Sequence, residues 1–386
     1  MWRKMQLRVW GGPVCRASLT AVENLFCFAG YEVLMWPADW ATNFTADGTC
    51  ILNQASKSVY CHYLSYVRSV IRAKRFVLDW LLRKRNQLGD SRKLGPETNS
   101  TQYWSEHTVA VFAPASARES LDYFHWRVNQ YPGYLELAPV AGLDNLDVVD
   151  FGCGPGHDLV GIGHYSRPKS LMGFDVSELA LGLARKRLDL NDFGKTVETR
   201  LISNQKLDIA DESVDYIHSS GVLHHVPDLP RTLEELHRVL RHNGRIRVMV
   251  YNRESLWWNL YVPHVLQLKR REIPLELPIR EAFRMSTDGL TCPISEAYTL
   301  DSFRAIASKS GFRTSYVGAS ISLTELEVFK HYSRAALRNS RLAVEHREFL
   351  RQVRCAKDGT LSRNGEIPGI NLVLELIKEP ARDGPS

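Results

Sequence analysis

The residues most able to do chemistry sit in one glycine-rich turn: Val148-Val149-Asp150-Phe151-Gly152-Cys153-Gly154-Pro155-Gly156-His157-Asp158. β-branched residues and Phe151 end a buried strand, and three glycines at alternate positions follow Asp150. A turn of this kind exposes backbone N–H groups, and without Cβ atoms a ligand can lie against the main chain. The residues from Gly156 to about Tyr165 read as the helix that follows. Asp175 stands at the tip of a second strand, 19 residues after Gly156, about the spacing at which a carboxylate reaches a ribose hydroxyl pair. Val176 beside it can cover an adenine face. Further along, His224 and His225 follow a fourth strand and Tyr251 ends a fifth. Histidines titrate near neutrality and suit proton transfer.

Glycine spacing decides which ligand the turn fits. A dinucleotide fingerprint, G-x-G-x-x-G, would need glycine at His157 or at Leu159. A P-loop would need a Lys and a Ser or Thr after its last glycine, and neither is present. What remains is D-x-G-x-G-x-G.

That pattern resembles motif I of the class I methyltransferases, which hold S-adenosylmethionine (SAM) on such a loop. The run Ser219-Ser220-Gly221-Val222-Leu223-His224-His225-Val226-Pro227-Asp228 is similar to the region after strand four in the type 11 domain of SAM-dependent methyltransferases. So are Asp211-Glu212-Ser213-Val214-Asp215 before it and Arg238-Val239-Leu240 with Asn243-Gly244 after it. The resemblance covers residues 145–255, with fainter echoes to Phe312. It implies SAM as cofactor, its methionine end held by Asp150, Gly152, Cys153, Gly154 and Gly156, its ribose by Asp175 and its adenine by Val176, Ser203 and Asn204. Ser220 would lie alongside. Where the family often has an acid at the adenine edge this chain has Ser203, which leaves the N6 contact to Asn204. His224, His225 and Tyr251 are the expected catalytic residues, and no metal site is expected.

The elements that must position these groups alternate as β and α from Asp147 onward, with caps at Ser177, Asp228 and Thr299. The expected fold class is α/β: a Rossmann-like, doubly wound, mostly parallel seven-stranded sheet with an inserted lid and an N-terminal, partly helical extension. The expected organisation is a basic extension over 1–100, the first part of the core over 101–255, a lid over 256–298 and the rest of the core over 299–380. Within the lid, Trp257, Trp258, Tyr261 and His264 are expected either to shape an acceptor pocket or to pack as core. Thr287-Asp288-Gly289, Cys292-Pro293 and Ser295 read as a turn facing the same crevice. The helix ending near Leu240 is expected to stop at Asn243-Gly244, and 325–354 reads as one charged helical span.

Charge is uneven along the 386 residues: 14 Lys/Arg against 7 Asp/Glu in residues 1–100, a surplus of +7 where the whole chain carries +6. The part expected to be catalytic is therefore near neutral, which argues against nucleic acid as the substrate. Residues 61–85 form a basic amphipathic pattern that suits either peripheral contact with an anionic membrane or packing on the protein's own surface. Residues 86–102 read as a linker, and the aromatics at Tyr103-Trp104 and over 116–134 as a helical approach to the glycine loop. No run of about 18 apolar residues is present to span a membrane, and the N-terminus is a poor signal peptide. Seven scattered cysteines without a C-x-x-C pair argue against a disulfide scaffold or zinc site and fit a cytoplasmic, reducing compartment. The leading expectation is methyl transfer from SAM to a small-molecule acceptor, at oxygen. A tRNA, rRNA or protein methyltransferase and a non-catalytic SAM-fold scaffold stand as the alternatives.

Overall fold

The computed structural model of the protein describes residues 100–109, 112–193, 197–202 and 206–379. The basic pattern over 61–85 and the adenine-edge pair Ser203 and Asn204 lie outside the described residues.

Seven main strands make one sheet: β1 (Asp147–Phe151), β2 (Ser170–Asp175), β3 (Val197–Leu201), β4 (Val214–Ser220), β5 (Leu240–Asn252), β6 (Phe312–Ser320) and β7 (Asn371–Lys378). Their order is 3-2-1-4-5-7-6. β1 to β5 run parallel to one another, and β7 runs antiparallel to both β5 and β6. A two-residue strand, Ala297–Tyr298, pairs in parallel with the end of β5 and makes an eighth. This is the expected doubly wound sheet, with an antiparallel strand wedged where the dinucleotide-binding order 3-2-1-4-5-6 has none.

Helices cover both faces in chain order: α1 (Ser100–Glu106), α2 (Ala117–Val128), α3 (Tyr134–Leu137), α4 (His157–Tyr165), α5 (Glu178–Leu190) and α6 (Leu229–Val239). They continue with α7 (Trp257–Arg270), α8 (Ile279–Asp288), α9 (Leu300–Ala307), α10 (Leu323–Arg338) and α11 (Val344–Gln352). Every residue of β1 is buried, as a central parallel strand requires when both faces are covered. Val149 points into one layer with Ile217, Leu233, Leu236 and Phe303. Val148 points into the other with Leu159, Ile162, Leu181 and Phe124. Ser177, Asp228 and Thr299 each accept the N–H three residues on, so these three helices start where their caps dictate.

Three local expectations differ. Helix α6 ends at Val239 rather than at Asn243-Gly244, because Leu240 already pairs with Val214; the Asn-Gly pair instead makes an irregularity inside β5, with Asn243 at φ 62°. The 325–354 span is two helices, broken between Arg338 and Val344. The linker is cut short by α1, which begins at Ser100. In the insert, α7 is wide-turned with Pro263 inside it, and Trp258, Val262 and Phe283 form a core with Ala297 and Ile370 beyond the C-terminal end of β5.

Candidate active site

The C-terminal ends of β1, β2, β4 and β5 open on one side of the sheet, where an open α/β fold takes its ligands. The loop after β1 is bound tightly to the tip of β2. The N–H groups of Gly152 and Cys153 both donate to Phe174 O, at 2.7 and 2.9 Å. Asp175 accepts the Gly154 N–H on Oδ2 at 2.8 Å and the Ser177 N–H on Oδ1 at 2.9 Å. Burial pushes the Asp175 carboxyl up, and these amides oppose that shift by favouring the ionised form. Val176 is half-buried next to it.

The three glycines do different work. All have positive φ, 79° at Gly152, 52° at Gly154 and 80° at Gly156. A Cβ on Gly152 would stand 2.2 Å from Val222 Cγ2, and one on Gly156 would stand 3.0 Å from Ala184 Cβ. Those two glycines let β1 and α4 approach β4 and α5. A Cβ on Gly154 would meet nothing within 4 Å, so this residue presents bare backbone to open space, as a ligand cradle requires. The side chain of Cys153 is buried against Gly173, which leaves its backbone to the loop.

Beneath the loop lies a buried polar cluster. Asp150 is 2% exposed, and its Oδ2 has no hydrogen-bond partner. Burial raises its carboxyl above the ordinary range, with Asp158 adding to the shift and His218 opposing it. Asp158 pairs with Arg127 and lies 3.4 Å from His218 Nε2. Burial alone would raise Asp158, but Arg127 and His218 more than offset it and hold the carboxyl well below the usual range. Ser220 shares a 2.5 Å hydrogen bond with Tyr134.

Arg187 supports the loop from behind. It is 1% exposed, donates from Nε to Pro155 O at 3.0 Å, and reaches Ser120 Oγ at 3.1 Å and Phe112 O at 2.6 Å. With no carboxylate beside it, burial lowers the guanidinium to about 10. Sequence reasoning missed this residue, although a lone arginine on the apolar Ala180–Ala184–Leu188 face of α5 was a signal.

The expected catalytic residues do come together. His224 stacks near Tyr251 with ring centroids 3.9 Å apart, and His224 and His225 are 4.1 Å apart. His224 is 1% exposed and neither ring nitrogen has a partner; burial holds its pKa well below the ordinary value. His225 Nδ1 lies 2.8 Å from Ile294 O, and its Nε2 lies 3.5 Å from Asp288 Oδ1. Burial lowers the pKa of His225, with Asp288 opposing. Tyr251 donates to the same Asp288 oxygen at 3.1 Å, while Thr287 and Ser295 both donate to Oδ2 at 2.6 Å. The turn expected to face the crevice thus supplies its central acid, Asp288.

Helix α1 crosses both halves. Ser100 Oγ donates to His225 O, the Trp104 ring lies 4.5 Å from that of His225, and Tyr103 OH donates to Asp288 O. At its far end Thr108 Oγ1 is 3.2 Å from Ser177 Oγ, next to Asp175. The lid aromatics serve packing: Trp258 is buried 5.0 Å from Phe283, and Trp257 Nε1 donates to Ser286. His264 stands apart, its Nδ1 3.5 Å from Asn339 on α10.

Comparison with known proteins follows the same residues. A family model described as a methyltransferase domain matches residues 143–272, from just before β1 through α7. Over that span the chain is similar to the SAM-dependent methyltransferases. Arsenite methyltransferase of Halobacterium salinarum is 26% identical over 166 residues, 43% of this chain and 37% of that protein. Ubiquinone biosynthesis O-methyltransferase of Pseudomonas aeruginosa is 29% identical over 137 residues, 34% of this chain and 56% of that protein. The chain thus spans about a third to a half of the length of these two relatives. A Thermotoga maritima SAM-dependent methyltransferase of known structure, titled a possible histamine N-methyltransferase, aligns over 73% of this chain and all of that one at 18% identity, with a TM-score of 0.40. Among the described residues no helix is long and apolar enough to cross a membrane.

Proposed function

We propose that this protein transfers a methyl group from SAM to an oxygen of a small-molecule acceptor. One observation carries the reading: an open backbone cradle at Gly154, tied to Asp175, shares the C-terminal side of the sheet with a buried His224–His225–Tyr251–Asp288 cluster. The residues fit SAM. The unpartnered Asp150 Oδ2 beneath the loop matches the ammonium of a methionine moiety, and Asp175 has oxygens at the β2 tip for a ribose diol. Ser203 and Asn204 are proposed at the adenine edge.

When bound, SAM supplies a methyl group on a positively charged sulfur. The chain's own residues align the acceptor, exclude water and take a proton. Tyr251 packs edge to face on Phe283 with ring centroids 5.5 Å apart, and Trp104 of α1 lies 4.5 Å from the ring of His225. His224 is neutral, and a ring nitrogen without a partner can accept the acceptor's O–H. As the oxygen lone pair bonds to the methyl carbon and the C–S bond breaks, that proton passes to His224. A methyl ether and a neutral thioether leave.

Calorimetric titration with SAM and, separately, NADH tests the cofactor. Saturable SAM binding that is lost in Asp175→Ala supports the reading; NADH binding, or neither, overturns it. Transfer of labelled methyl from SAM to hydroxylated, and not to amine or thiol, acceptors in a mixed extract tests the oxygen assignment. Label found instead in tRNA, rRNA or protein would replace the small-molecule reading.

A further inference from the structure

We propose that His225, Asp288 and Cys292 form a binding site for a borderline divalent cation such as Zn(II), resting on the pocket just assigned to the acceptor. The three residues offer one nitrogen, one oxygen and one sulfur, all within 4.8 Å of one another. That is the mixed donor set and the three-ligand count of a catalytic site that keeps a fourth position open.

The surrounding hydrogen bonds orient the donors outward from their supports. Ile294 O can only accept, so the proton of a neutral His225 sits on Nδ1 and the Nε2 lone pair faces Asp288 Oδ1 across 3.5 Å. Two acceptors face each other there, an arrangement a cation satisfies. A ligating imidazole that donates its other N–H to a backbone carbonyl is the usual supporting arrangement at metal sites, as is a ligating carboxylate held by hydrogen bonds on its second oxygen. Thr287 and Ser295 hold that second oxygen of Asp288. Cys292 is fully buried and comes from the same turn, its Sγ 3.3 Å from Ile294 O.

A second observation points to the same place. His224, next to His225 and 1% exposed, has two ring nitrogens without a partner. Its ring centroid lies 4.1 Å from that of His225. A hydroxyl bound to a divalent cation releases its proton far more readily than one in water, so the site would make His224 sufficient as proton acceptor.

The test uses the full chain, purified and metal-analysed, then stripped and titrated with Zn(II) and with Co(II). The expected result is one Zn(II) per chain and, with Co(II), a thiolate charge-transfer band in the near ultraviolet. Cys292→Ser should abolish that band while retaining Co(II) absorption in the visible. Ser295→Ala, which leaves all three ligands in place, should weaken Zn(II) binding about tenfold. No stoichiometric binding of either ion by folded protein, or a thiolate band that survives Cys292→Ser, overturns the proposal. SAM titration of the same preparation separates the two readings: SAM binding without metal sinks the cation site alone, and metal binding without SAM sinks the methyltransfer reading alone.

Discussion

Gly152 and Gly154 have nearly the same backbone conformation class and opposite surroundings, and substituting each by alanine separates folding from ligand binding. At Gly154 the new Cβ meets nothing within 4 Å, and φ of 52° lies in the left-handed basin. The stability cost is therefore that of the backbone alone, about 1–2 kcal/mol. At Gly152 the same backbone cost applies, and the Cβ also falls 2.2 Å from Val222 Cγ2. Overpacking of that kind adds about 1–3 kcal/mol, for a total of about 3 kcal/mol. The order reverses for the ligand. A methyl on Gly154 occupies the space in which SAM would lie against the main chain, so affinity should fall at least about tenfold, or 1.4 kcal/mol. Urea denaturation and SAM calorimetry on the two variants read both quantities. Gly154→Ala should unfold at a urea midpoint between those of wild type and Gly152→Ala, and bind SAM poorly. If it binds SAM as tightly as wild type, the loop's open face is not the cofactor cradle. If Gly152→Ala is no less stable than Gly154→Ala, the contact argument itself fails.

Asp175→Ala removes an ionised acceptor from the ribose position and should cost about 1.5–3 kcal/mol of SAM affinity by calorimetry; unchanged affinity would remove Asp175 from the site. Arg187→Met keeps bulk but strands Pro155 O and Phe112 O, so it should destabilise by about 2–3 kcal/mol in urea and weaken SAM binding; a neutral outcome would show that the loop needs no support from behind. Asp150 carries a sign that can be checked. Burial raises its carboxyl in the folded state, so folding takes up a proton above about pH 4, and its contribution to stability is lost as pH rises. Asp150→Asn should therefore gain on wild type between pH 4 and 7, and a gap that does not change with pH would show that the carboxyl is not raised. His224→Ala should lower the rate of methyl transfer by about 10²–10⁴-fold with SAM affinity intact; an unchanged rate would exclude it as proton acceptor.

The conformation of the glycine loop and its tie to Asp175 were legible because their signals are local. Gly152, Gly154 and Gly156 are dictated by positive φ and close approach within one turn, and Asp175 follows at a spacing fixed by one β-α-β unit. The strand count and the caps at Ser177, Asp228 and Thr299 were equally local. The acceptor half was legible only in pieces. His224, His225 and Tyr251 could be named from strand ends, but Asp288 reaches them from an insert whose path no periodicity fixes. The contacts of Arg187 and of the Arg127–Asp158–His218 cluster were hidden for the same reason: their partners are distant in sequence. The expected stop of α6 at Asn243-Gly244 failed because strand pairing at Leu240 outweighs a turn signal.

Strand β7 sits between β5 and β6, with its residues Leu372, Val373, Leu374 and Leu376 at most 2% exposed. This places the order of synthesis against the order of assembly. β5 emerges with an open edge, and β6 has no neighbour to pair with until residues 371–378 have been made. An unpaired strand edge is a template for the wrong partner, and distant pairing is slow to form. The parallel strands β1 to β5 that hold the glycine loop are therefore made well before the strand that completes the antiparallel side. Proteolysis or premature termination upstream of β7 removes the next-to-last strand of the sheet and leaves β6 without a partner.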